Sequence, residues 1–286
     1  MNIIFKVQGG LGKHIASTAF IKKIKQKYPQ SNLIVLSAWK DVFLNNPHVN
    51  ESSPELSTFY DKFVEGNDVL FLTQDPYDFD NHMNRREHLI ATWFSMIGEE
   101  YNGEMPEIYF SPQEEQYYTQ FYKTPKPLFM IQPNGGAVNT KLDKYNWARD
   151  IPPNIVQKVI DAHKDDYTVG VIRTEDQIKY NNCVDLVEKW RQVAIGMKYS
   201  KKRLLIDSSF QHIAAALDLE STVLWNVTDP KVFGYDLHKN IVANKYTKPQ
   251  PSTGVMTKYN LAEPLQNMPY ESFVDVFNYD EISKAL

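Results

Sequence analysis

The feature that most constrains how this chain folds is an apolar strand that runs into a loop of small residues, and this feature occurs twice. The segment Phe5-Lys-Val-Gln-Gly-Gly10 has this form near the start, and Phe129-Met-Ile-Gln-Pro-Asn-Gly-Gly136 has it in the second half. A buried strand that delivers a glycine-containing loop is how a doubly wound α/β domain begins. The repetition therefore predicts two similar domains of this kind.

Apolar runs alternate with amphipathic stretches along both halves, as expected for parallel sheets covered by helices. In the first half the predicted strands lie at 3–7, 33–36 and 69–72, and the predicted helices at 15–27 and 86–97. In the second half the strand that begins at Phe129 is followed by predicted strands at 168–172, 203–206 and 222–225, and by predicted helices at 155–163, 183–190 and 210–217. The predicted fold class is α/β with two Rossmann-like domains.

The segment Lys-Thr-Pro-Lys-Pro at 123–127 marks the predicted domain boundary, because prolines end regular elements and stiffen the chain. We predict an N-terminal domain at 1–124 and a C-terminal domain at 125–270. A terminal helix is predicted at 271–286, after a stretch rich in Pro, Thr, Ser and Asn, and it is a candidate to cross back to the first domain. A length of 286 residues fits two such domains.

Composition and charge exclude several classes of protein. The chain is 42% hydrophobic and 23% charged, which favours packed cores over disorder. Its formal net charge is -4 and its Lys and Arg residues are scattered, so the basic surface of a nucleic-acid binder is not expected. The single cysteine, Cys183, fits a reducing compartment and a cytoplasmic location. A strand predicted from residue 2 leaves no room for a cleavable leader, and no apolar run approaches the roughly 20 residues that cross a bilayer, so no stable membrane insertion is expected.

The first candidate site is the glycine loop Gln8-Gly-Gly10-Leu-Gly12-Lys13-His14. Gly10 and Gly12 let the backbone turn tightly and approach a ligand at the positive end of the following helix. The third glycine of a dinucleotide fingerprint is missing, because Ile15 stands there, and a phosphate-binding P-loop would need Ser or Thr at His14. The motif is compatible with an ordinary strand-to-helix turn and with a ligand contact.

The second candidate site is Asp207-Ser208-Ser209-Phe-Gln-His212, directly after a predicted strand. The serines can cap the next helix, whose free N–H groups and dipole would hold an anion such as a diphosphate. His212 lies one turn along the helix and can point to the same ligand. A capped helix with a satisfied surface histidine is the alternative reading.

The third candidate site is the loop that contains Asn134 and Gly135, followed by the cations Lys144 and Arg149. Arginine binds phosphate oxygens in bidentate fashion and lysine binds them as a point charge, so this loop is a candidate phosphate site. A solvated basic loop is the alternative.

An acidic cluster after the strand at 69–72 consists of Asp75, Asp78 and Asp80. The Asp78-Phe-Asp80 spacing matches the Asp-x-Asp pattern of metal-dependent GT-A glycosyltransferases. Carboxylates do bind hard cations, yet acidic surface loops are commoner. We therefore predict no metal site here.

Several segments resemble family-nine glycosyltransferases, the heptosyltransferase-like enzymes of lipopolysaccharide assembly, and they occur in one order along most of the chain. These segments are Gly9 to Gly12, Asn46-Pro-His-Val49, Pro106 to Ser111, Trp147-x-Arg149-x-Ile-Pro152, Asp207-Ser-Ser-x-x-His212 and Thr222 to Pro230. The glycine loop is also similar to that of family-eleven fucosyltransferases. The resemblance implies the GT-B architecture, in which two Rossmann-like domains face each other across a cleft.

For the donor, the resemblance implies that Ser208, Ser209 and His212 contact the diphosphate of a nucleotide sugar. Asn134, Gly135 and Lys144 or Arg149 would lie nearby, and Asp207 would orient the loop. The family usually has glycine where Ser209 stands.

For the acceptor, the family's presumed general base is an aspartate at the position of Lys13. A charged lysine does not accept a proton, so the usual base is missing. His14 is the predicted substitute because it titrates in the right range, with Asp75 and Asp78 as alternatives. Lys13 instead fits a phosphate ligand, or marks a protein that binds nucleotide sugars without transferring them.

The expected activity is an inverting, metal-independent and cofactor-free transfer of a sugar from a nucleotide-diphosphate donor to an acceptor hydroxyl. The acceptor is either a glycan of the lipopolysaccharide type or a hydroxymethylated base in phage DNA. The alternative functions are a nucleotide-sugar epimerase and a non-catalytic nucleotide-sugar-binding protein of the same fold.

Overall fold

The computed structural model describes residues 1–135, 145–248 and 270–286. The chain forms two compact units, Met1–Ser111 and Pro112–Leu286. The proline-containing segment 123–127 lies inside the second unit, because the helix before it packs there. That helix carries Glu114, which forms an ion pair with Arg191 of the same unit at 2.7 Å.

The first unit is a four-stranded parallel sheet with helices packed on it. Its strands are β1 (Asn2–Lys6), β2 (Asn32–Leu36), β3 (Glu51–Ser52) and β4 (Val69–Leu72). Its helices are α1 (Leu11–Lys27), α2 (Phe59–Phe63), α3 (Asp80–Met83) and α4 (Leu89–Ser95). Phe5 of β1 packs edge-on against Phe20 of α1 and Trp93 of α4, with ring centroids 5.3 and 6.4 Å away.

The second unit is a six-stranded parallel sheet. Its helices are α5 (Pro112–Thr119), α6 (Pro153–His163), α7 (Trp190–Met197), α8 (Ser209–Ala216), α9 (Pro230–Phe233) and α10 (Tyr279–Ala285). Its strands are β5 (Leu128–Ile131), β6 (Thr168–Ile172), β7 (Val184–Leu186), β8 (Ser200–Ile206), β9 (Thr222–Trp225) and β10 (Lys239–Val242). The described 3₁₀ turns of both units are Lys40–Phe43, Leu56–Thr58, Pro76–Asp78, Gln120–Tyr122 and Phe273–Asp275.

The terminal helix α10 is part of the second unit. Ile282 of α10 is fully buried in the core cluster that also contains Ile160 of α6 and Leu224 of β9. The hydroxyl of Thr222 donates a hydrogen bond to the backbone oxygen of Ala285 at 3.2 Å. These contacts fix the end of the chain on this sheet.

The same strand order organises both sheets. The strand order is β3-β2-β1-β4 in the first sheet and β10-β9-β8-β5-β6-β7 in the second. In each sheet the first strand along the chain is an inner strand, the next two strands lie on one side of it, and all later strands lie on the other side. This is the doubly wound order of Rossmann-like domains, in which ligands bind beyond the carboxyl ends of the strands where the order reverses. The reversal lies between β1 and β4 in the first unit and between β5 and β8 in the second. The predicted fold class, α/β with two Rossmann-like sheets, is confirmed.

One predicted helix is wrong. The segment 183–190 holds strand β7 (Val184–Leu186) instead, and the helix α7 starts only at Trp190. Val184 and Asp185 are exposed and Leu186 is buried, so this edge strand contributes one side chain to the core. Leu186 packs so closely over Gly170 of β6 that a Cβ there would meet Leu186 Cδ1 at 2.8 Å. The short strand β10 had no predicted counterpart.

Candidate functional site

Two predicted loops meet at the reversal of the second sheet. The loop with Asn134 and Gly135 follows β5, and the segment that starts at Asp207 follows the neighbouring strand β8. The Gln132 N–H donates to the backbone oxygen of Leu204 at 2.9 Å, which holds the two strand ends side by side. A Cβ on Gly135 would lie 3.5 Å from Ile206 Cδ1, the last residue of β8. The structure thus brings the two predicted donor segments together.

A buried carboxylate, Asp150, holds the loop after β5 in shape. One of its oxygens accepts from Asn134 Nδ2 and from the Asn146 N–H, both at 2.9 Å, and the other accepts from the Gly135 N–H at 2.9 Å. Asp150 is fully buried, and this burial raises the pKa of its carboxyl. Asp150 was not among the predicted site residues. The sequence feature that could have indicated a buried role is its position directly before the apolar residue Ile151.

Arg149 lies against the same loop. Its stem crosses Gly135 so closely that a Cβ there would meet Arg149 Cδ at 2.3 Å, so a side chain at this position would displace the arginine. Among the residues that the structure describes, the Arg149 guanidinium has no hydrogen bond or ion pair. A half-buried cation thus stands beside the loop, where a phosphate group would meet it. Lys144, the other predicted cation, lies outside the described residues.

The start of helix α8 is the third part of this site. Ser208 is the N-cap residue with extended backbone, and within the described chain its hydroxyl makes no capping hydrogen bond to the helix. Ser209 is the first helical residue and Asp207, which is buried, leads into it. The first N–H groups of a helix have no partner within the helix and attract anions. The loop, Arg149 and this helix start together form a candidate diphosphate site.

His212, a predicted diphosphate contact, is engaged inside the protein. Its Nδ1 lies 2.8 Å from the hydroxyl of Tyr235, and its Nε2 lies 2.9 Å from Gln211 Nε2, which also donates to the backbone oxygen of Phe233. The ring is buried. Both ring nitrogens thus have protein partners, which tie α8 to Tyr235 in this conformation.

The glycine loop of the first unit turns tightly between β1 and α1. Gly9 has φ +100°, which is the region that favours glycine, and Gly10 is the N-cap of α1. Gly12 is the second residue of the helix. The backbone of the predicted loop therefore has the expected form, beside the reversal between β1 and β4.

His14, the predicted base, does not reach solvent. It is fully buried, with Nδ1 2.9 Å from the Gly10 carbonyl oxygen and Nε2 3.2 Å from the Val7 carbonyl oxygen. Burial lowers the pKa of this imidazole. An acceptor hydroxyl has no access to either ring nitrogen in this arrangement, so the geometry opposes His14 as the base.

Lys13 is paired with the acidic loop after β4. Its Nζ lies 2.6 Å from Asp75 Oδ1 and 3.9 Å from the centroid of the Tyr77 ring. Tyr77 in turn stacks on His82, with centroids 4.5 Å apart and planes at 3°. The lysine is buried, and its charge is met by a carboxylate and an aromatic face. This arrangement does not favour Lys13 as a phosphate ligand.

The acidic cluster lines an open cavity of about 540 Å³ in the first unit. Its lining residues are Gln74, Asp75, Asp78, Phe79, Asp80, Asn81, Glu87 and Ser95. Four of them are acidic, so the cavity is a region of negative potential. In the described ranges, no group of three His, Cys, Asp or Glu side chains is arranged to hold a metal ion.

Comparison with solved structures places this fold among known proteins. The chain is similar to a glycosyl transferase family 9 structure from Veillonella parvula DSM 2008, at 14% identity and TM-score 0.69, with 99% of this chain and 95% of that chain covered. It is similar to the ADP-heptose lipopolysaccharide heptosyltransferase II of E. coli, at 15% identity and TM-score 0.65, with 100% and 98% covered. It is also similar to TibC of enterotoxigenic E. coli H10407, an iron-containing dodecameric glycosyltransferase, at 13% identity and TM-score 0.58, with 98% and 67% covered.

No family model and no curated protein sequence matches the chain. The structural likeness covers the whole chain and both units, and it confirms the resemblance to the fold of family-nine, heptosyltransferase-like glycosyltransferases. At these identities the likeness establishes the fold. Among the described helices, none has both the length and the apolar character needed to cross a bilayer.

Proposed function

We propose that this chain is a glycosyltransferase that moves a sugar from a nucleotide-diphosphate donor to an acceptor hydroxyl. The observation that carries the proposal is the second unit's candidate diphosphate site. There, the loop held by Asp150, the guanidinium of Arg149 and the start of α8 converge where the sheet order reverses. Helix N-termini and arginine side chains both bind phosphate groups in proteins. A relative in fold, heptosyltransferase II, is named for an ADP-heptose donor.

The proposed reaction is a single displacement with inversion. The acceptor oxygen forms a bond to the anomeric carbon while the bond from that carbon to the phosphate oxygen breaks, and its electron pair leaves with the nucleotide diphosphate. The charge that develops on the diphosphate is the largest feature to stabilise. Arg149 and the N–H groups of α8 supply that stabilisation without a metal ion or other cofactor. Because TibC contains iron, chelation belongs in the test.

The acceptor we propose is an uncharged, hydroxyl-rich glycan bound by the first unit. The acidic cavity of this unit is lined by Asp75, Asp78, Asp80 and Glu87, whose negative charges repel phosphate groups. An acceptor rich in hydroxyl groups suits such a lining, because carboxylates accept hydrogen bonds from sugar hydroxyls. Modified phage DNA, with its phosphate backbone, and a phosphorylated lipopolysaccharide core are disfavoured by the same charges. The one cysteine, which is unpaired, supports a cytoplasmic location for the reaction.

The first experiment is a thermal-shift screen against ADP, UDP, GDP, CMP and dTDP sugars, with and without EDTA. A ligand of the native state raises its apparent stability, so we expect one nucleotide class to shift the melting temperature equally in both conditions. Arg149→Met is the matched control, because it keeps the stem over Gly135 and removes the charge. A shift that EDTA abolishes contradicts metal independence, and the absence of any shift contradicts the donor site.

Transfer is then measured with the selected donor on neutral oligosaccharides and on duplex DNA that contains hydroxymethylated bases. We expect product with the oligosaccharides. Transfer to DNA that weakens with added salt would instead establish the nucleic-acid acceptor.

A second candidate function is a nucleotide-sugar-binding protein that transfers nothing. The observation that favours it is Lys13, which is paired with Asp75 at the position where the similar family has its presumed base. Tight donor binding without turnover on any acceptor would identify this function.

A further inference from the structure

We infer that Asp75 is the general base of the reaction and that Lys13 positions its carboxylate. The inference rests on the proposed transferase function, and it names the residue on the first unit that receives the acceptor's proton. A hydroxyl that attacks an anomeric carbon must lose its proton, and a positioned side chain accelerates that step by about 10² to 10⁴-fold.

Position in the fold selects Asp75. It lies three residues after the end of β4, and β4 is the neighbour of β1 at the reversal of the first sheet, where a bound ligand is expected. Its carboxylate is partly exposed and lines the acidic cavity of the first unit. His14 is fully buried, with both ring nitrogens against backbone oxygens. Asp78 lies on the outer, exposed side of the turn, three residues further from the strand end.

Two hydrogen bonds hold the Asp75 carboxylate in one orientation. Its Oδ1 accepts from Lys13 Nζ at 2.6 Å and from the Tyr77 N–H at 2.9 Å. The lysine is itself fixed, because its ammonium lies over the Tyr77 ring and that ring stacks on His82. A base whose geometry is fixed before the substrate arrives spends no free energy on reorganisation during the reaction.

The proton that the acceptor hydroxyl loses is transferred to Asp75 and then to water. The acceptor hydroxyl proton moves to the Asp75 carboxylate as the acceptor oxygen bonds to the anomeric carbon, and the nucleotide diphosphate leaves with the electron pair of the broken bond. Asp75 then releases the proton to water. Lys13 keeps its proton throughout and acts only through Asp75, as a positioning residue.

The test compares kcat and donor affinity for Asp75→Asn and for the matched control Asp61→Asn, which removes an exposed carboxylate of the same unit that does not line the cavity. The probes are ADP-heptose, or the nucleotide sugar with the largest thermal shift, and a neutral oligosaccharide. We expect kcat to fall about 10² to 10⁴-fold in Asp75→Asn, with donor Kd unchanged because the donor binds the second unit. Asp61→Asn keeps kcat within a few-fold of wild type.

Lys13 is tested by Lys13→Arg and Lys13→Met. The arginine variant keeps the cation and retains most of kcat, whereas Lys13→Met lowers kcat and moves the acidic limb of its pH profile to higher pH, because the carboxylate loses its cationic neighbour. A merely structural lysine would change stability without moving that limb. This readout also serves if Asp75→Asn does not fold.

The possible failures are distinguishable. Full kcat in a folded Asp75→Asn, or an unmoved acidic limb in Lys13→Met, overturns the assignment of the base alone. A wild-type protein that binds donor and transfers to no acceptor overturns the proposed function, and this inference with it.

Discussion

The side chain of Arg149 lies directly across the backbone of Gly135, so that a Cβ atom on residue 135 would come within 2.3 Å of Arg149 Cδ and 3.0 Å of Cγ. Among the described residues, no ion pair or hydrogen bond holds the guanidinium. The arginine stem thus occupies the space that the missing side chain of residue 135 leaves open. Any larger residue at 135 must push the arginine aside.

Gly135→Ala is accordingly expected to weaken the binding of ADP by about 10-fold, because the displaced guanidinium no longer meets the phosphates. Isothermal titration calorimetry with ADP measures the change. Gly10→Ala is the matched control, since a Cβ there meets no atom within 4 Å and Gly10 lies in the first unit. An unchanged ADP affinity in Gly135→Ala would remove Arg149 from the site.

Ser208→Ala separates a binding role from a capping role. Replacing a serine that caps a helix usually costs about 1 kcal/mol, but the Ser208 hydroxyl makes no capping hydrogen bond within the described chain. We expect the free energy of unfolding to stay within about 0.5 kcal/mol of wild type, while ADP binding weakens by about 5- to 10-fold.

Asn278→Ala is the control for Ser208→Ala. Asn278 caps α10, and its side chain accepts from the Asp280 N–H at 3.0 Å. This variant should lose about 1 kcal/mol of stability and keep its ADP affinity. Urea unfolding and calorimetry on both variants give the two quantities. The reverse pattern, with stability lost in Ser208→Ala and ADP affinity kept, would make Ser208 a structural cap.

The core strands were predictable because their sequences are apolar runs between turn residues. The predicted strands at 69–72, 168–172 and 222–225 have the observed bounds of β4, β6 and β9. The edge strand β7 was mistaken for a helix, since only Leu186 of its three residues is buried and one buried residue defines no period. Its strand form comes from pairing with β6, which local sequence does not encode.

The candidate donor site was predictable in outline, because loops after adjacent parallel strands must meet. Asn134 and Gly135 were predicted to lie near Ser208, and they do lie at neighbouring strand ends. The partners of buried polar groups were not predictable. Both histidines of the predicted site, His14 and His212, have ring nitrogens engaged by groups that only folding brings to them. The hydrogen bonds of Asp150 to Asn134, Gly135 and Asn146 were equally unpredictable, because they form only in the folded loop.

The Asp150 carboxylate is expected to make stability depend on pH. Burial raises its pKa above the ordinary value of 3.8. At pH values between 3.8 and the raised pKa, the carboxyl has lost its proton in the unfolded chain but keeps it in the folded chain. Stability from this group therefore falls as the pH rises through that window and is constant above it. Asp150→Asn removes this dependence.

Asp150→Asn also leaves one acceptor oxygen for three N–H donors, so it should destabilise the protein by about 1 to 3 kcal/mol. The difference in unfolding free energy between wild type and variant should be largest at acidic pH and smaller at pH 7. Urea titrations across this range measure it. A difference that grows with pH would show that the three hydrogen bonds outweigh burial.

We expect His82 to make the stability of the first unit sensitive to acid. Burial, followed by the charge of Lys13, lowers the pKa of this imidazole from 6.5 to about 4. Below pH 6.5 His82 is protonated in the unfolded chain, but in the folded chain it stays neutral down to about pH 4. The free energy of unfolding therefore falls as the pH falls through this window. The full shift corresponds to about 3 kcal/mol.

His82→Phe preserves an aromatic stack on Tyr77 and removes the titrating group, so its unfolding free energy should decline less than that of wild type between pH 6.5 and pH 4. His48→Phe is the control, because His48 is more exposed and its pKa is lowered without a large shift. Urea unfolding at several pH values measures the three proteins. Parallel pH curves for wild type and His82→Phe would mean that His82 is protonated in the folded state. A protonated His82 next to Lys13 would also weaken the support that Tyr77 gives to the Lys13–Asp75 pair.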